Sequence, residues 1–168
     1  MIDPAALNAA QPSLSGIAAL TPGVLRRVFA VARFRKAEAM IGSGSAEAAV
    51  AIAFRGLAWD PDSARGWTAL AAAHDALGRL PKAIEALKRA TERAGPSEGE
   101  PFHQLGMAQR KSGDFEAAIR AFQTAIERDP NHEAARKAAE ALAPVSARLA
   151  RRREMEARRM RENRRDAG

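Results

Sequence analysis

Few side chains in this 168-residue sequence stand in patterns that do chemistry. The histidines come first: His74, His103 and His132 follow one another at intervals of 29. Two metal ligands on one helix must lie three or four residues apart to share a face. None of the three has His or Cys at that spacing, although Asp75, Asp129 and Glu133 are near in sequence. No metal is expected. Gly42-Ser43-Gly44-Ser45 is glycine-rich, but no lysine follows it and no strand precedes it, as a phosphate cradle requires. It reads as a turn. Glu98 and Glu100 fall in a loop and read as solvated charge. There is no cysteine and no nucleophile motif. The expectation is a protein without catalytic residues and without a cofactor.

Arginine is the other reactive class. Of the formal net charge of +7, residues 144–168 carry most, with nine arginines against four acids. They are Arg148, Arg151, Arg152, Arg153, Arg158, Arg159, Arg161, Arg164 and Arg165. Guanidinium groups meet phosphate or carboxylate by paired hydrogen bonds, so this tail suits nucleic acid or an acidic protein surface. It has no aromatic residue for base stacking. Glu154/Arg158 and Arg158/Glu162 lie at i, i+4, which favours a solvated helix. Its apolar residues do not sustain a heptad, so a coiled coil is not expected.

The elements that must position these groups follow from a repeat. Gly44, Gly78 and Gly113 are 34 and 35 residues apart, and so are Ala49, Ala83 and Ala118. Pro61, Pro96 and Pro130 recur at nearly the same interval. A period near 34 means stacked helical hairpins, an all-α fold whose core is shared between neighbours. Thr21-Pro22 predicts a helix start, and Ser45 an N-cap for the next helix. Helices are predicted at about 64–77, 81–93, 101–111, 115–128 and 132–142. Residues 1–20, rich in Ala, Ser, Asn, Gln and Pro, read as an irregular arm. No stretch is long and apolar enough for a membrane helix, and the start does not read as a secretory signal. A cytoplasmic protein is expected.

The segment from Gly113 to Arg136, GDFEAAIRAFQTAIERDPNHEAAR, resembles a tetratricopeptide repeat. Phe102, Leu105, Gly106, Ala118, Phe122, Ala125 and Pro130 carry the likeness, and Trp67, Leu70, Gly78, Ala83, Leu87 and Ala90 carry it one unit earlier. The first unit is weaker: Arg33 replaces the large hydrophobe and Gly56 the small alanine. The resemblance implies a right-handed superhelical stack, with repeats at 30–63, 64–98 and 99–132, a capping helix at 133–142 and the basic tail at 144–168. It also implies a concave groove lined by the first helix of each hairpin. Mapped onto this chain, the groove residues are Val31, Phe34, Glu38, Ile41, Arg65, Thr68, Ala72, Asp75, His103, Met107, Arg110 and Lys137. Of these, Arg65, Arg110 and Lys137 would meet a carboxylate. A chaperone-binding subgroup of the family clamps a terminal carboxylate with lysine and asparagine, and this chain has Phe34, Glu38 and Ala69 at those places.

Two functions are therefore weighed. The first is an adaptor that holds a segment of another protein, or a subunit of a larger complex, in the groove, with arm and tail as extra contacts. The alternative is a nucleic-acid or ribonucleoprotein accessory factor that binds through the arginine tail. A membrane partner is not expected.

Overall fold

A computed structural model describes residues 22–166, without the side chains of residues 162 and 164–166. Among the described residues there are eight α-helices and no strand. They are α1 (Pro22–Gly42), α2 (Ala46–Leu57), α3 (Ala64–Ala76), α4 (Leu80–Arg93), α5 (Glu100–Lys111), α6 (Phe115–Arg128), α7 (Glu133–Ala141) and α8 (Ala143–Asp166). α1 packs on α2, α3 on α4 and α5 on α6, each pair forming a hairpin, and each hairpin packs on the next. The arm at 1–20 and Thr21 lie outside the described residues.

The glycine period is a backbone requirement. Gly44, Gly78 and Gly113 have φ of 78°, 68° and 84°, and no other described residue has positive φ. Each closes its hairpin by the same pair of hydrogen bonds. Gly44 N–H donates to Ile41 O and Ser45 N–H to Met40 O. Gly78 and Arg79 bond Asp75 and His74 in the same way, and Gly113 and Asp114 bond Arg110 and Gln109. This is the Schellman end, in which a left-handed residue satisfies the last carbonyls of the helix. A Cβ at Gly78 would touch nothing within 4 Å, so only the φ penalty opposes a side chain there. Gly78→Ala is expected to lower stability by about 1 kcal/mol, read as a shift of the urea midpoint with unchanged slope.

The core is mostly alanine, which lets the helices approach closely. Among the described residues only Phe34 and Phe122 are large and fully buried. Each needs a glycine opposite. A Cβ on Gly106 would stand 2.6 Å from the Phe122 ring, and a Cβ on Gly56 only 2.3 Å from the Phe34 ring. Phe34 also fills the space above Gly66, at 2.5 Å by the same measure, so it joins the first hairpin to the second.

The first unit is thus transposed. In the second, Arg93 lies over the Trp67 ring at 5.5 Å, and in the third Arg128 lies over Phe102 at 5.4 Å. In the first, the equivalent pair is Arg33 over Trp59 at 4.2 Å, with cation and ring exchanged. The attraction is indifferent to which helix supplies which partner.

The C-terminal helix also differs from the expectation. Pro144 cannot donate to the preceding turn, so the chain breaks between α7 and α8. The first turns of α8 then pack into the stack: Val145 lies on a cluster of Ala118, Phe122, Ala138 and Leu142. Arg153 pairs with Glu116 of α6. The arginine segment therefore starts inside the fold, not beyond it.

Candidate functional site

Two adjoining cavities open along the face made by α1, α3, α5 and the loops before α5 and α7. The larger, about 920 Å³, is lined by Glu38, Arg65, Thr68, Ala72, Glu98 and Glu133 among others. The smaller, about 610 Å³, is lined by Ile41, Thr68, Asp75, His103, Met107 and Arg110 among others. Thr68, Ala72 and Gln104 belong to both, so the two form one groove.

The first helices reach this groove because their opposite faces carry apolar residues of the core, such as Leu70 and Ala73. Nine of the twelve mapped positions line it: Glu38, Ile41, Arg65, Thr68, Ala72, Asp75, His103, Met107 and Arg110. Phe34 does not. It is fully buried under Gly56 and Gly66, because the corresponding core position on α2 is Ala53 and leaves the volume to be filled from α1. Val31 is half-buried and lines neither cavity. Lys137 also lies outside both and stands 3.7 Å from Glu133.

Most of the mapped charges are already engaged within the fold. Arg65 grips Glu38 across the first two hairpins by a two-pronged contact, Nε–Oε1 3.2 Å and Nη2–Oε2 2.8 Å. That bond raises the Arg65 pKa further and occupies the face that a ligand carboxylate would need. Lys111 reaches Asp75 across the next seam at 2.6 Å. Arg110 has no ion-pair partner among the described residues, and Met107 is exposed. The Thr68 hydroxyl donates to Ala64 O at 3.0 Å.

Two histidines read as isolated in sequence meet in space. The His103 and His132 rings lie 4.9 Å apart, and His132 Nε2 is 3.0 Å from Glu100 Oε2. Glu100 is the first residue of α5, not a solvated loop charge, and its Oε1 accepts from Gln104 at 2.6 Å. Glu100, His103 and His132 offer ligand atoms within 4.8 Å of one another. The cap on α7 decides how the cluster works. His132 Nδ1 accepts from Ala135 N–H at 3.3 Å, which places the ring proton of neutral His132 on Nε2. A cation would have to displace that proton and the cap together. The cluster is a clasp joining the third hairpin to α7. His74 lies apart, in the seam of α2, α3 and α4, where burial pushes its imidazole below its ordinary range.

His103, Gln104 and His132 together hold the Glu100 carboxyl at about 2. His103 Nδ1, at 3.7 Å, is too far for a normal hydrogen bond, so the firm contacts are those to His132 and Gln104. A carboxyl with a depressed pKa adds stability above its unfolded value, and that stability is lost as pH falls through the folded one. Wild-type protein should therefore be more stable than Glu100→Gln at neutral pH. The advantage should fade between about pH 4.5 and 2, followed by thermal melting of both proteins across that window.

Seven tail arginines, from Arg148 to Arg161, are exposed. Arg152 pairs with Glu156 at 2.9 Å. The side chains of Arg164 and Arg165 lie outside the description. Among the described residues no helix is long and apolar enough to cross a membrane.

Residues 62–131 match the tetratricopeptide repeat family. No curated protein matches the chain by sequence. Among solved structures, the Sgt2 tetratricopeptide domain from Aspergillus fumigatus is 22% identical, with a TM-score of 0.66 over 73% of this chain and 82% of its own. The second such domain of human RPAP3, in complex with the HSP70 peptide SGPTIEEVD, is 20% identical, with a TM-score of 0.62 over 70% of this chain and 97% of its own. The first such domain of Spaghetti (RPAP3), bound to the HSP90 peptide SRMEEVD, is 19% identical, with a TM-score of 0.64 over 71% and 94%. At these identities the likeness is one of fold. The second and third hairpins lie inside the segment that matches the tetratricopeptide repeat family, and the first is closed by the same glycine turn.

Proposed function

We propose that this protein is a non-enzymatic adaptor, or scaffold subunit, that holds an extended segment of a partner protein in the groove of α1, α3 and α5. The observation that carries this reading is the pair of adjoining cavities, joined at Thr68, Ala72 and Gln104 and floored by small side chains. Small Ala72 leaves room for ligand side chains, exposed Met107 offers an adaptable apolar contact, and Arg110 a cation not held by the fold. That structural relatives hold peptides supports a peptide as the ligand class. The arm and the arginine helix are proposed as additional contacts.

The test is affinity purification with mass spectrometry, comparing wild type with Ala72→Trp, which fills both cavities from an exposed position. Partners lost from the variant support the groove. Identical partner sets for both proteins would refute it. A second reading, nucleic-acid binding by the tail, is favoured by the four arginines of Arg148–Arg153, among which no acid intervenes. Under that reading nuclease treatment strips the partners, and binding weakens steeply with salt. The rest of the tail favours it less: from Glu154 to Asp166 five arginines face four acids.

A further inference from the structure

The larger cavity has a charge that names its ligand. Glu38 and Arg65 cancel across it by their two-pronged contact. Four more carboxylates line it, Glu98, Glu100, Asp129 and Glu133, with no lysine or arginine besides Arg65. Glu100 and Glu133 are the first residues of α5 and α7. Helix dipoles favour acids there, which is one reason for their position, but two helix N-termini supply only about one positive charge in total. The four carboxylates therefore outweigh the two helix termini by about three charges. Lys137 does not change this, since it and Glu133 are about four-fifths exposed at a separation of 3.7 Å.

We propose that this cavity selects an extended segment rich in arginine or lysine, the cations seated along Glu98, Glu100, Asp129 and Glu133. The proposal rests on the groove being the docking surface. It also sets this chain apart from its structural relatives, whose peptides SGPTIEEVD and SRMEEVD both end in EEVD, with three acids in the last four residues. An acidic terminus entering this cavity would meet four carboxylates, and its one arginine is already taken. The net charge of the whole chain is +7, so a basic peptide is repelled in general and only the local field of the groove can attract it.

The experiment selects short random peptides displayed on phage against the immobilised full-length protein, then measures the synthesised winners by fluorescence anisotropy. Winners should be rich in Lys and Arg. Their affinity should fall roughly tenfold or more in Glu98→Gln/Glu133→Gln and as salt rises, while Ala72→Trp abolishes binding. Winners that are acidic yet blocked by Ala72→Trp would overturn the charge selection and leave the groove standing. Winners of any charge indifferent to Ala72→Trp would overturn both. Self-association that disappears when residues 146–168 are removed would show that the basic occupant is the tail of a second copy, and would overturn binding of a foreign segment. Circular dichroism of both variants, expected to match wild type, secures these readings against loss of fold.

Discussion

Phe34→Ala should be among the most damaging single changes in the molecule, costing about 3–5 kcal/mol. Domains of this size are stable by about 5–15 kcal/mol in total, so the variant should melt far earlier or be partly unfolded at room temperature. The reason lies in position more than in size. Phe34 is fully buried and reaches Gly56 of α2 and Gly66 of α3 at once, so its ring fills the seam of two hairpins. Hairpins of this kind bury their apolar faces only against neighbours, and weakening one seam weakens the whole array. Calorimetry or urea unfolding reads the loss. A reciprocal test distinguishes ring packing from a general dislike of substitution. Gly56→Ala alone should destabilise, since its Cβ would stand 2.3 Å from the ring. In the Phe34→Ala background the same methyl enters the vacated space and should restore part of the stability. Additive losses in the double variant would show that the ring and the glycine are not complementary.

The same residue shows where sequence reading stops. The glycines at period 34 were legible because each must take positive φ, and only one residue type does so without strain. Helix bounds followed from those turns. The groove residues on α3 and α5 were legible because the second and third units share a register. Phe34 was misread because that register was carried unchanged into the first unit. What a core conserves is volume at a seam, and it can come from either helix. Where the third unit has Phe122 against Gly106, the first has Ala53 on the second helix and Phe34 on the first. Arg33 and Trp59 repeat the lesson with charge and ring exchanged. A search for compensating pairs within each unit would have found both.

The contacts between units were missed for another reason. Glu47–Arg79 and Glu100–His132 are each separated by 32 residues, and Asp75–Lys111 by 36. These spacings lie close to one period and would mark seam partners in any stacked array. The spacing of 29 between the histidines hid the meeting of His103 with His132, because it measures along the chain, whereas the loop before α7 folds His132 back over the start of α5. The tail was legible as a helix. That its first turns belong to the core was not, because Val145 and Leu149 are too few to register as an amphipathic face.

Gly99→Ala is the second change with a large expected effect, about 1–3 kcal/mol. A Cβ there would lie 2.6 Å from the backbone oxygen of Ala125, 3.0 Å from Asp129 Cβ and 3.1 Å from His132 Cδ2. A side-chain clash can be relieved by rotation, but a backbone carbonyl moves only with its helix, here the last turn of α6. Gly106→Ala is the control. Its Cβ would also be crowded, at 2.6 Å from the Phe122 ring, but Gly106 sits inside α5, where alanine gains about 1 kcal/mol over glycine. Gly99 occupies the N-cap of α5, where alanine is a poor residue and no such gain offsets the clash. Thermal unfolding should therefore rank Gly99→Ala below Gly106→Ala. The loss should extend to the groove, because Gly99 lies between Glu98 and Glu100 on the acidic wall. Shifting α6 against this loop moves His132 relative to Glu100, so Gly99→Ala should also weaken binding of a basic peptide that Gly106→Ala leaves intact. Equal melting temperatures and equal peptide affinities for the two variants would show that the loop before α5 is free to adjust.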